Sequence, residues 1–161
     1  MIAGWSNYLS VLAGAAATLT GLIFVAVSIN LSRVLSVPGL TGRAGESLMQ
    51  LFGVVLISTT ALIPQQGPIA LGTEILVVGS VLWLVQTVFQ VRYVTSKTGH
   101  PRVWGIVRMV QTQLANVPFC ICGILLVRGS AAGLYWLALG CIFSLVSGVS
   151  GAWVLLVEIL R

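Results

Sequence analysis

Aspartate is absent from this sequence, and charge of either sign is scarce. Glu46, Glu74 and Glu158 are its acids, Lys97 its one lysine and His100 its one histidine, and charged residues make up 7% of 161. A soluble domain carries about 25% charged residues. Three acids, eight Lys or Arg and one His cannot build an ordinary solvated surface, so there is no room for a separate soluble domain.

The same shortage argues against enzymology. Without Asp and with one His there is no nucleophile–histidine–acid set. Two histidines spaced to ligate a haem are lacking, and the only lysine stands in Ser96-Lys-Thr-Gly rather than in a glycine-rich phosphate loop. The chain therefore reads as a non-enzyme with no cofactor. Cys120, Cys122 and Cys141 fall within apolar runs. Cys-x-Cys is not a zinc spacing, and no histidine or second pair lies nearby, so they read as buried free thiols rather than a metal or redox site. The net charge of +5 does not signal nucleic acid, because the basic residues sit between apolar runs instead of clustering with exposed aromatics.

What is present is long apolar sequence, 58% of the chain. Leu9 to Leu31 holds no charge, and roughly 20 apolar residues in a helix cross a hydrocarbon core about 30 Å thick. Similar runs follow. The expected fold is all-α: one polytopic transmembrane helix bundle of about five spans, near 8–32, 47–65, 68–94, 104–127 and 131–158. Four spans, with the second or fifth run re-entrant or interfacial, is the alternative. Ser36 to Gly45 reads as a turn-rich loop, with Glu46 and Ser47 opening the second span, where a carboxylate suits a helix N-terminus. Pro64-Gln-Gln-Gly-Pro68 reads as a tight hairpin, and Pro118 as a kink that frees the Leu114 carbonyl. The start lacks the basic n-region of a signal peptide and reads as a short retained tail.

Placing the first and third connections and the C-terminus in the cytoplasm puts Arg33, Arg43, Arg92, Lys97, Arg102, Arg108 and Arg161 inside and only Arg128 outside. The positive-inside rule then sets the N-terminus out and the C-terminus in. Trp5, Tyr8, Tyr135, Trp136 and Trp153 are placed as interfacial belt residues. His100 reads as a solvated loop residue, and the basic inner loop as a topology signal that could also touch anionic headgroups.

Four features could carry function. In the first span Gly14, Thr18, Gly21, Val25 and Ser28 share one face, beside a row of Ala13, Ala17 and Gly21. Small residues let helices approach closely in lipid, so this helix is expected to be central, its face packed on neighbours or lining a pore or subunit interface. The fifth span carries a similar stripe, Gly140, Ser144 and Gly148, with Ser147 and Gly151 beside it. Glu74 lies roughly 9 Å into the third span. An intramembrane acid is a functional hypothesis by default, and Arg128 is its expected partner, as a structural pair or an ion site. Finally Asn30, Gln86, Gln90, Gln111 and Asn116, with Gln113 and Ser28, fall in the inner halves of the spans. They are either glue between helices or the lining of a wet cavity.

Leu19-Thr-Gly-Leu-Ile-Phe-Val-Ala26 and Leu56-Ile-Ser-Thr-Thr-Ala-Leu-Ile-Pro64 look a little like the first two spans of the Orai calcium-channel family, which also has a glutamate near the start of its third span, as Glu74 is here. The family's pore glutamate has no counterpart, since Ser28, Ile29 and Asn30 stand there. Four spans with the N-terminus inside also differ from the charge pattern, so no functional residue is carried over. The chain has the general look of small multi-span proteins of the bacterial inner membrane. The residues point to a homo-oligomeric ion channel or pore in the cell membrane, with the first helix as candidate lining. The alternative is a non-catalytic accessory or scaffold subunit docked on a partner membrane protein. The bilayer itself is the other expected partner.

Overall fold

A computed structural model describes residues 4–37, 39–95 and 102–160. Six helices follow in order: α1 (Ser6–Ile29), α2 (Leu31–Ser36), α3 (Leu40–Ala61), α4 (Pro68–Thr95), α5 (Arg102–Val127) and α6 (Gly133–Leu160). No strand occurs among the described residues. All but α2 are long and apolar enough to cross a membrane. Lys97, His100 and Arg161 lie outside the described residues, as do the side chains of Arg102 and Glu158.

The helices α3, α4, α5 and α6 form a closed ring in which each packs on the next and α6 returns to α3. The tightest crossing, α4 on α5, is built on glycine. A Cβ on Gly72 would stand 2.7 Å from the Val127 nitrogen, and one on Gly123 would stand 2.8 Å from the Gly72 carbonyl oxygen. Only the missing side chains permit that approach, which in lipid is the chief source of helix–helix attraction. The ring is filled at one end by Val54, Ile57, Leu71, Ile75, Phe119, Leu126 and Leu137. The end that carries Arg33, Arg43, Arg92 and Arg108 is here called the basic end; Arg128 lies at the other.

The first helix corrects an expectation. It stands outside the ring, against α3 and only marginally on α6. Its buried residues are Leu9, Leu12, Ala16 and Ile23, a stripe on the side opposite much of the small-residue face. Gly14, Thr18, Gly21, Val25 and Ser28 are all exposed, and a Cβ on Gly14 or Gly21 would meet nothing within 4 Å. The physical reason is bulk. Leucine and isoleucine make many more van der Waals contacts with Val54, Ile57 and Ala61 than a flat glycine row could. At the hairpin end Trp5 packs edge-on against both Tyr8 and Tyr135, pinning α1 to α6.

The second correction concerns Ser36 to Gly45. The second span begins at Leu40, not near residue 47. Gly39 takes the left-handed φ of 85° that starts the helix. Leu40 and Ala44 are buried against Val34 of α2, and the Thr41 hydroxyl donates to the Val34 carbonyl at 3.2 Å. Tertiary burial thus overrides the low helix propensity of Gly42 and Gly45. Glu46 is consequently in the second turn of α3, facing protein, rather than at its N-terminus. At the other ends, α3 stops at Ala61, and α5 continues unbroken through Pro118. Gly129 at φ 78° closes α5, with the Ser130 N–H bonded back to the Leu125 carbonyl.

Candidate functional site

Inside the ring, toward the basic end, the apolar filling gives way to a polar cleft of about 170 Å³. Each ring helix contributes: Arg43, Glu46, Ser47 and Gln50 from α3, Gln86 from α4, Arg108, Gln111 and Thr112 from α5, and Ser147, Ser150 and Gly151 from α6. Helical spacing explains the set. Residues 43, 46, 47 and 50 share one face of α3, and 108, 111 and 112 share one face of α5.

The charged centre is Glu46 with Arg108, their Oε2 and Nε 2.6 Å apart. Side-chain exposures of 16% and 22% keep both ions partly hydrated at the mouth of the cleft, which lowers the desolvation penalty a deeper pair would carry. Arg43 acts on Glu46 from the same helix. Gln90 Nε2 donates to the Thr112 hydroxyl at 2.6 Å and lies 3.5 Å from Glu46 Oε2. The Thr112 hydroxyl in turn donates to the Arg108 carbonyl at 3.1 Å.

Deeper, Asn116 Nδ2 donates to the Thr112 carbonyl and to Gln86 Oε1, each at 3.1 Å. Gln50 Nε2 donates to the Ser144 hydroxyl, and Gln111 Nε2 to the Ser150 hydroxyl, both at 2.8 Å. Two buried amide atoms have no protein partner: Gln86 Nε2 and Gln90 Oε1. On the flank, Trp83 Nε1 donates to Gln113 Oε1, and Gln113 Nε2 to the Thr87 hydroxyl.

Four of the five amides read as an inner polar cluster therefore lie in or against the cleft: Gln86, Gln90, Gln111 and Asn116. Asn30 stands apart, because its side chain donates to the Ala26 carbonyl at 2.9 Å and closes the end of α1. Glu74 and Arg128 do not pair. Glu74 is half-buried and accepts from Gln66 Nε2 in the hairpin, while Arg128 is exposed. The chain turns sharply at Gln65, with φ 60°, and this brings Gln66 over the carboxylate. Cys122 and Cys141 are buried, Cys120 is half-buried, and all three are free. Among the described residues no group of three His, Cys or acidic side chains gathers.

Sequence reasoning missed Glu46 and Arg108 as a site because each has a local explanation, a helix-start carboxylate and a topology arginine. A usable signal was present. Glu46 precedes Gln50 by one helical turn, and Arg108 precedes Thr112 by one turn, so each charge shares a face with a polar residue.

The geometry defines a multi-pass membrane protein with a one-ended polar cleft. No family model, curated protein or solved structure matches the chain.

Proposed function

We propose that this protein works in the membrane as an assembly of identical chains that meet on the small-residue face of α1 and form an ion channel or pore around their shared axis. The observation that carries this reading is the exposure of Gly14, Thr18, Gly21, Val25 and Ser28 in the single chain. A small-residue row gains attraction only when another backbone comes close, and lipid tails supply none. A pore through one chain finds no support, because buried apolar side chains fill the ring beyond the cleft. The bilayer is the surrounding solvent, and the cluster of arginines at the basic end supports an orientation with that end in the cytoplasm.

One observation favours the second reading, an accessory subunit docked on another membrane protein. The Thr18 hydroxyl donates to the Gly14 carbonyl and the Ser28 hydroxyl to the Phe24 carbonyl, each at 2.8 Å. Hydroxyls turned onto their own helix suit a dry helix–helix contact better than a wet lumen. Native mass spectrometry of the particle in nanodiscs tests both. A closed ring of four or more identical chains, with ion flux in liposomes, sustains the channel. A particle containing a second protein and no flux moves the assignment to the accessory role, and a monomer removes the α1 interface.

A further inference from the structure

The cleft poses a question of its own, independent of how many chains assemble. Gln86 is 1% exposed and lines the cleft floor, yet its Nε2 has no partner. Leaving a buried amide group unpaired costs about 1–3 kcal/mol, and in a membrane span no bulk water relieves it.

The orphan's chemistry is fixed by a chain of bonds. The Thr112 carbonyl can only accept, so the Asn116 atom that contacts it must be the Nδ2 donor. That same Nδ2 contacts Gln86, so the Gln86 atom there must be the accepting Oε1. The amide cannot be turned over without setting two donors against each other. What remains facing the cleft is therefore an N–H donor, and its missing partner must be an acceptor.

Charge selects among acceptors. The described side chains lining the cleft carry two guanidinium groups, Arg43 and Arg108, against one carboxylate, Glu46, a formal sum of +1. Glu46 is held by Arg108 directly and by the field of Arg43, so the wall facing the cavity stays net positive. The volume of about 170 Å³ is about that of five or six waters at roughly 30 Å³ each.

We infer that the cleft is a binding site for a small anion, seated on Gln86 Nε2 at the floor and held by the Arg43 and Arg108 wall. The shared chemistry is one compact negatively charged group, which either a free monovalent anion or the phosphate of an anionic lipid supplies.

The test uses the full chain in phosphatidylcholine nanodiscs. Acetate and chloride are titrated at constant ionic strength against gluconate, which is too large for the cleft, and thermal unfolding is followed. The expected result is a saturable rise in Tm with acetate or chloride and none with gluconate. Gln86→Met, which keeps bulk but removes the donor, should weaken the response by about tenfold or more, as loss of a hydrogen bond to a charged group does. Arg43→Gln at the rim should weaken it as well, and it decides the matter if Gln86→Met does not fold. Phosphatidate that competes with acetate assigns the site to the headgroup. Failure to compete assigns it to the aqueous anion. No saturable response in the unaltered protein, or an unchanged response in the variant that folds, overturns the site.

Discussion

Helices α1 and α6 carry the same kind of sequence signature and put it to opposite uses. Each has small residues repeating along one face. In α6 that face points into the ring. A Cβ on Gly140 would stand 2.8 Å from the Phe119 ring, and one on Gly148 would stand 2.6 Å from Leu51. Gly151 lies against Ser47, and Ser144 is fully buried and bonded to Gln50. In α1 the face is empty. The difference teaches that a small-residue stripe specifies close approach but not the partner. The partner is decided by what the rest of the helix offers. The opposite side of α1 has Leu9, Leu12 and Ile23 to bury, so its glycine side is left over. The ring helices crowd α6 on several sides, and its glycines are where they fit.

The sharpest way to break this comparison is to fill both faces. Gly148→Leu should be the most damaging change considered, lowering the stability of the single chain by about 3 kcal/mol through overpacking against the buried Leu51. Thermal or denaturant unfolding in a mild detergent reads it as a large drop in midpoint. Gly21→Leu should leave that midpoint unchanged or raise it slightly. No atom opposes the new side chain, and leaving glycine gains up to about 1 kcal/mol in helix propensity. Its effect should fall on assembly instead, with native mass spectrometry showing loss of the oligomer. Equal destabilisation by the two substitutions would erase the distinction between the faces.

Much of this fold was legible because the membrane imposes a length and a composition on every span. The uncharged runs marked five helices, and three of them, α4, α5 and α6, start and stop within a turn of the expected residues. Packing was less legible. Nothing local in Gly72 or Gly123 says that they meet, since each needs the other's backbone to explain it. The start of α3 was misread because glycines at 39, 42 and 45 look like a loop until Leu40 and Ala44 are seen to bury against Val34. That error carried into the site. With Glu46 taken as a helix-start carboxylate, Glu74 stood as the principal intramembrane acid, yet it is Glu46 that meets an arginine. The amides were legible as a group through their common depth. Their partners Thr112, Ser144 and Ser150 were not, because side-chain hydrogen bonds between helices depend on rotation about each axis, which sequence constrains only loosely.

Hydroxyls sharpen the comparison at smaller scale. Ser144→Ala in α6 removes the group that receives Gln50 Nε2 at 2.8 Å and leaves a buried amide donor unpaired. A loss of about 1–2 kcal/mol is expected, seen as a modest fall in the unfolding midpoint. Gln50→Leu added to Ser144→Ala should recover part of it, because the stranded donor is then gone.

Thr18→Val is the counterpart on α1 and should be the mildest change. The Thr18 hydroxyl bonds only to the Gly14 carbonyl of its own helix, and that carbonyl keeps its backbone hydrogen bond when the hydroxyl is removed. Valine preserves the branch at Cβ and the stiff χ1 preference, so single-chain stability should change by less than about 0.5 kcal/mol. Assembly distinguishes the two uses of the face. In a dry helix contact the added methyl is accommodated or even gains packing, and the oligomer survives. In a wet lumen the same change replaces a polar lining atom with an apolar one, and conductance should fall while the oligomer remains intact. Single-channel recording beside native mass spectrometry therefore separates a pore-lining α1 from one that only joins subunits.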